Sequence, residues 1–365
     1  MRSEYANPSS LYQMARITRT AVESARHKVS TVLGSKLTEV VFTSGGTEGN
    51  NLAIQGVLRA HAGANWVTTA IEHDAVLSCA EPMRREGHLC SVIPVKPNGI
   101  VDPATTMAAV TDNTALISVM MANNEIGTVQ PVADIARLVV AVRDDRRRRG
   151  IDLPIYLHTD AVQAAGYLDL HVARLGVDLL TISGSKIYGP KGTGCVYIRQ
   201  GTVLQPLQYG GGQERDRRSG TENVAGIVGL AEALQLCGAS RDAETHRLIP
   251  LRQELVRALT SAIAGVIVNG DTRRRLPNNV NITIPGAEGE ALVLYLDRSG
   301  IMASTGSACS TGDLDPSHVL RALGRTPQEA ANSLRFTLGR STTPEAVDRV
   351  GAVLPDIATR LRELG

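Results

Sequence analysis

The sequence predicts an α/β protein in two parts. The first is a large domain, residues 10–240, built on a mostly parallel, mixed sheet flanked by helices. The second is a smaller C-terminal α+β domain, residues 241–365, with residues 1–9 expected to pack with it. Three observations lead there. Short β-rich runs alternate with helical patterns through the first two-thirds of the chain, the order changes to helix, strand, strand, helix after residue 240, and 365 residues suffice for two cores.

Taken in order, the strand-like runs cover residues 40–43, 66–69, 91–94, 115–119, 155–157, 179–182 and 195–198, each rich in Val, Ile, Leu or Thr. Between the first two, residues 48–58 read as a helix with Ile54, Val57 and Leu58 on one face. Such alternation is the pattern of strand–helix–strand units, whose ligands bind beyond the strands' carboxyl ends. In the second region an amphipathic helix is expected over 244–263, strands over 279–284 and 333–337, and a closing helix over 344–364. No internal repeat or low-complexity linker interrupts the chain.

Composition narrows the function. A net charge of +2 and 3% aromatic residues, with two Phe and one Trp, argue against a dedicated nucleic-acid binder. The one charge cluster, residues 143–149, is either a nucleic-acid contact or, the favoured reading, a solvated helix end. No apolar run reaches membrane-spanning length and the start lacks a signal-peptide core, so a cytoplasmic protein is expected. Five scattered cysteines without a Cys-x-x-Cys pair speak against a disulfide framework or a zinc site.

The chemistry concentrates between residues 156 and 194. Asp160 ends the strand-like Tyr156-Leu157-His158-Thr159-Asp160, and 26 residues on, Lys186 stands among small residues in Ser183-Gly184-Ser185-Lys186. Pyridoxal 5'-phosphate needs such a pair: an amine for its aldehyde, and a carboxylate that keeps its ring nitrogen protonated. As a bland alternative, Asp160 caps the next helix. Gln163 is close enough to meet the cofactor's phenolic oxygen. Ser44-Gly45-Gly46-Thr47-Glu48-Gly49, between a strand and a helix, is either a tight turn or a phosphate cradle of N–H groups and the Thr47 hydroxyl, with Ser183 a further donor. His73 is either structural or a ring-stacking proton shuttle. Cys309 lies in a ten-residue run, 303–312, with no large side chain, which makes an exposed thiol a candidate nucleophile. Cys195, within an apolar strand, reads as inert packing.

With these motifs the chain resembles the cysteine desulfurases of the nitrogen-fixation and iron–sulfur-assembly type, within the fold-type I, class V aminotransferase group of pyridoxal-phosphate enzymes. The resemblance runs through Asn7-Pro8-Ser9-Ser10, residues 43–48, Glu72-His73, Asn123-Asn124-Glu125-Ile126-Gly127-Thr128, residues 158–163, Lys186-Ile187-Tyr188-Gly189-Pro190-Lys191-Gly192, residues 211–215, Ser219-Gly220-Thr221 and Gly306-Ser307-Ala308-Cys309. The last of these is similar to the long-loop subgroup, which hands sulfur to scaffold and carrier proteins.

The resemblance implies a role for each matching residue. Lys186 would carry the cofactor as a Schiff base, Asp160 would meet its ring nitrogen and Gln163 its phenolic oxygen, and His73 would stack on the ring. Gly46, Thr47, Ser183 and Ser185 would bind phosphate, joined by Thr221 from a second subunit, which implies a homodimer with shared active sites. Asn7, Asn124 and Arg335 would hold L-cysteine, Arg335 as a bidentate clamp on its carboxylate. Cys309 would take the sulfur as a persulfide, with His73 as the base that frees its thiol, and pass it to an iron–sulfur scaffold or sulfur carrier. A related lyase or aminotransferase, or a weakened paralogue, is the alternative. Two departures stand out. Ser185 occupies the place of a usual histidine, which implies weaker cofactor binding or slower turnover, and the family's Asp-Asn-Ala-Ala-Thr-Thr-like opening segment has no counterpart before Asn7.

Overall fold

The computed structural model describes residues 5–306 and 316–364. It divides into two compact units. The first comprises residues 1–93, 103–121 and 131–241, and the second residues 94–102, 122–130 and 242–365. The sequence-based boundary near 240 is therefore close, yet two short excursions, 94–102 and 122–130, leave the first unit for the second. Residues 5–9 belong to the first unit, where the expectation put them with the second. Arg19 Nε donates to Pro8 O at 2.8 Å and ties them to the first helix.

In the first unit that helix, α1 (Gln13–Leu33), precedes β1 (Val40–Thr43), α2 (Gly46–Ala60), β2 (Asn65–Thr69) and the short α3 (Asp74–Leu77). There follow β3 (Cys90–Ile93), β4 (Thr114–Ser118), β5 (Tyr156–Asp160), β6 (Leu179–Ser183) and β7 (Gly194–Ile198). These seven strands form one sheet in the order β1-β7-β6-β5-β4-β2-β3. β6, β5, β4, β2 and β3 run parallel, while β7 is antiparallel to both β6 and β1. The mixed, mostly parallel sheet is as the sequence predicts.

Packing explains why the apolar runs became strands. β1, β4, β5, β6 and β7 are buried along their whole length, so each reads as a continuous run rather than an alternating one. Ile54, Val57 and Leu58 of α2 are fully buried, and with Leu52, Trp66 and Leu116 they share one core cluster. Each such side chain contributes about 1.5–3 kcal/mol.

The charge cluster is partly structural. The exposed Arg147 and Arg148 pair with Asp144 and Asp145 one turn back. Arg146, however, is buried and donates to the carbonyls of Leu153, Thr111 and Thr114, and Arg143 pairs with the buried Asp178. Two of the seven residues thus turn inward, where the sequence suggested a solvated end.

The second unit holds β8 (Ile267–Val268), β9 (Asn279–Thr283) and β10 (Ser333–Thr337) in an antiparallel sheet of order β10-β9-β8. Its closing helix, Pro344–Leu364, begins and ends as the sequence predicts. The helix expected over 244–263 begins much earlier and runs Val224–Ala262, passing through Pro250 and crossing the unit boundary in sequence. Among the described residues no helix is long and apolar enough to cross a membrane.

Candidate active site

Register places several candidate residues along one edge of the first unit's sheet. Thr43, the last residue of β1, pairs with Gly194, which pairs in turn with Ser183, the last of β6. Asp160, the last of β5, pairs with Thr181 of β6. The carboxyl ends of β1, β5 and β6 therefore deliver the Ser44–Thr47 turn, Asp160 and the Ser183–Lys186 turn to a common edge. Gly194 is required there: a Cβ would lie 2.6 Å from Ile182 O and 2.8 Å from Gly45 Cα.

Asp160 is 5% exposed, and its hydrogen-bond donors are neutral. Asn50 Nδ2 donates at 2.6 Å and the Val162 N–H at 2.9 Å. Burial pushes its pKa up, against those bonds and the nearby His73, which favour the ionised form. Asn50 Oδ1 is buried without a partner among the described residues.

His73 opens α3, its Nδ1 accepting from the Ala75 N–H at 3.0 Å. That bond assigns the proton of the neutral ring to Nε2. Before it, Glu72 is fully buried. Its Oε1 accepts from Thr69 Oγ1 at 2.7 Å, and both carboxylate oxygens accept from the Met120 N–H, at 2.9 and 3.1 Å. It thereby joins the carboxyl end of β2 to the residues just past β4. Burial pushes the Glu72 pKa up to about 8, with Asp160 adding to the rise.

α2 starts at Gly46 behind Gly45 (φ 155°), and no N-cap side chain bonds its first N–H groups, which like those of any helix have no intrahelical partner. A Cβ at Gly45 would lie 3.9 Å from Ser183 Oγ, and one at Gly46 3.7 Å from Ser183 Cβ. Glu48 reaches back to the Ser44 N–H at 2.8 Å and pairs with Arg218 at 2.9 Å. Ser183 Oγ lies 3.1 Å from Ser185 Oγ, so the serine that departs from the expected histidine bonds to a neighbouring hydroxyl. Lys186 is exposed at the end of the 3-10 turn Gly184–Lys186, and Gln163 is half-buried just past β5. Thr221 is exposed and, with Thr43, Ser44 and Arg218, lines a pocket of about 250 Å³.

The structure groups the remaining candidates differently. In the second unit Arg335 on β10 is half-buried, its Nη1 donating to Asn124 O at 3.1 Å and Gly306 O at 3.4 Å. Asn124 is likewise half-buried. Asn7 is exposed in the first unit, and its Oδ1 accepts from the Ser9 N–H at 2.9 Å, closing a local turn. Cys309 lies outside the described residues.

Sequence reasoning did not single out Asn50 or Glu72. Asn50 could have been found as the residue one turn beyond Gly46, on the same side of α2. Glu72 carried only its place beside His73. Its raised pKa gives a testable expectation. Folded Glu72 keeps its proton up to about pH 8, whereas its ordinary value is 4.5, so the stability it carries is full below 4.5 and is lost as pH rises through about 8. The melting temperature of Glu72→Gln relative to wild type should therefore climb by several degrees between about pH 5 and about pH 9. A difference independent of pH in thermal melts would refute this.

The chain matches the family described as Aminotransferase class-V over residues 1–350. The cysteine desulfurase IscS of Dictyoglomus turgidum is 43% identical over 366 residues, spanning 100% of this chain and 90% of that protein. The cysteine desulfurase IscS of Clostridium botulinum (strain Hall) is 45% identical over 364 residues, spanning 99% and 89%. Among solved structures, a NifS-like protein superposes with a TM-score of 0.89 at 34% identity, covering 98% of this chain and 93% of its own. A family match over 350 of 365 residues, with relatives alike from end to end, has one consequence: the chain belongs to the class-V aminotransferase family, among its cysteine desulfurases.

Proposed function

We propose that the protein is a pyridoxal-phosphate cysteine desulfurase that takes sulfur from L-cysteine, leaving L-alanine and a persulfide on Cys309. The observation that carries this reading is Asp160, a carboxylate buried at a strand's carboxyl end with neutral hydrogen-bond donors around it. A protonated ring nitrogen is the partner that such a carboxylate lacks. The uncapped start of α2 beside Ser183 suits a phosphate in the same way. Desulfurase relatives favour this reading over a related lyase, an aminotransferase or a weakened paralogue.

When bound, pyridoxal phosphate supplies an aldehyde for an amine and a protonated ring that draws electrons from the substrate's Cα. Asp160 would keep the ring nitrogen protonated, with Asn50 holding the carboxylate in place. Gln163 would meet the phenolic oxygen. The N–H groups at Gly46 and Thr47, with the hydroxyls of Thr47 and Ser183, hold the phosphate, and Ser185 orients Ser183. Thr221 of a second subunit completes the phosphate site in a homodimer with shared active sites. Lys186 would provide the anchoring amine for the cofactor's aldehyde, and the same amine would serve as the base for the substrate's Cα proton. His73 would face the ring and leave Nε2 available to relay protons, because the Ala75 N–H holds Nδ1.

Arg335 and Asn124 bind the substrate's carboxylate end, and Asn7 is assigned to the same task. Cys309, as thiolate, forms an S–S bond to the substrate's sulfur while the Cβ–S bond breaks. The electron pair of that bond stays on the carbon, which takes a proton. L-cysteine and a thiol thus become L-alanine and a persulfide, which passes to an iron–sulfur scaffold or sulfur carrier in the cytoplasm.

The test is to incubate the cofactor-loaded protein with L-cysteine and with a panel of other amino acids. Alanine formed from cysteine, together with a Cys309 peptide one sulfur atom heavier by mass spectrometry, is the expected result. Keto-acid products from other amino acids without a persulfide would overturn it.

A further inference from the structure

Glu125, next to the substrate-holding candidate Asn124, is 2% exposed in the second unit. Burying a carboxylate costs several kcal/mol unless it is bonded, so its presence in place of an apolar residue calls for a reason. Its surroundings supply one. Ser317 Oγ donates to Glu125 Oε2 at 2.5 Å. Gly306 backs onto the same oxygen: a Cβ there would lie 2.6 Å from Glu125 Oε2 and 3.0 Å from Ser317 Cβ. Residues 306 and 317, eleven positions apart in the chain, meet at one carboxylate oxygen. Gly306 directly precedes the stretch bearing Cys309, and Ser317 follows it just after Pro316.

The rest of the network holds the backbone of Glu125, and so the base of its side chain, in place. Asn123 Oδ1 accepts from the N–H groups of Glu125 and Ile126 at 2.8 and 2.9 Å. From β9, the side-chain amides of Asn279 and Asn281 donate to Glu125 O at 3.0 and 3.2 Å. Arg335 joins the same group through Asn124 O and Gly306 O, and its backbone exchanges hydrogen bonds with Ser304 at 2.7 and 3.2 Å. The candidate carboxylate clamp and both flanks of the cysteine stretch thus share one rigid frame, with Glu125 at the centre.

We propose that Glu125 is a positioning residue that fixes Gly306 and Ser317, the flanks of the cysteine-bearing stretch, against the substrate-holding Arg335. This rests on the desulfurase reading. It acts through Ser317 and Gly306 and touches no reacting atom. A side chain at 306 would push the Glu125 carboxylate aside.

The test is single-turnover persulfide formation with L-cysteine, measured per cofactor-loaded site in the full-length holoenzyme. Glu125→Ala should lower the rate at least about tenfold while KM for L-cysteine stays within about twofold. Glu125→Gln, whose carbonyl still accepts from Ser317, should recover to within about threefold of wild type. A purely structural role would lower the loaded fraction and the melting temperature and leave the rate per loaded site unchanged, which would overturn the proposal. If Glu125→Ala fails to fold, Ser317→Ala carries the test. It should slow persulfide formation by about threefold or more at unchanged cofactor loading, and a wild-type rate would refute the inference. Failure of the desulfurase reading is distinct, because the wild-type protein would then form no persulfide.

Discussion

Cys309→Ala is expected to lower sulfide and alanine release from L-cysteine by about 1000-fold or more, while the colour of the bound cofactor and the binding of L-cysteine persist. The other cysteines explain why no substitute exists. Burial pushes the Cys79 thiol up to about 11 and those of Cys90 and Cys195 up to about 12. None of these three supplies a useful thiolate near neutral pH. Cys237 is buried and donates to Ile187 O at 3.4 Å. Among the described cysteines none is thus a ready acceptor, which leaves that role to Cys309 in the proposed reaction. Steady-state assays of both products check this, and release at the wild-type rate would remove Cys309 from the reaction.

Asp160→Asn should be nearly as severe for activity, yet neutral or stabilising for the cofactor-free fold. A carboxamide cannot hold a proton on the ring nitrogen by charge, so kcat should fall by roughly 100–1000-fold, with the visible spectrum of the bound cofactor altered. Burial raises the folded-state pKa of Asp160. The folded chain thus holds that proton to a higher pH than the unfolded one, and the associated stability is lost as pH rises through the folded value. In cofactor-free protein at about pH 8 the neutral asparagine should therefore melt at the same temperature as wild type or higher. A variant both inactive and strongly destabilised without cofactor would point to a scaffold role for Asp160.

Much of this was legible in the sequence because buried strands write continuous apolar runs. Val40-Val41-Phe42-Thr43 and Leu179-Leu180-Thr181-Ile182 became strands nearly as read, and the turns after them carried the phosphate and lysine motifs. The long helix escaped because Gly226, Gly229, Gly238 and Pro250 interrupt its pattern, yet tertiary packing carries it through. The excursions 94–102 and 122–130 were invisible because their partners are remote in sequence: Arg275 reaches Ile126 O at 2.8 Å, and Asn279 reaches Glu125 O. Glu72 and Glu125 were visible only as letters in motifs. Their weight comes from burial, which local pattern does not encode.

A histidine inside the sheet completes the picture from another side. His158 on β5 sits between Ser118 Oγ, 2.9 Å from Nδ1, and Thr181 Oγ1, 3.0 Å from Nε2, and burial pushes its pKa down to about 3. Folding therefore expels a proton at His158 anywhere between about 3 and 6.5, and captures one at Glu72 between 4.5 and about 8. Where the windows overlap, from 4.5 to 6.5, the two transfers cancel, and these groups leave the fold indifferent to acidity. Below that window the uncharged imidazole weakens the fold, and above it the buried glutamate does. The sheet thus buries one group that weakens the fold in acid and another that weakens it in base, and the two offset each other in between.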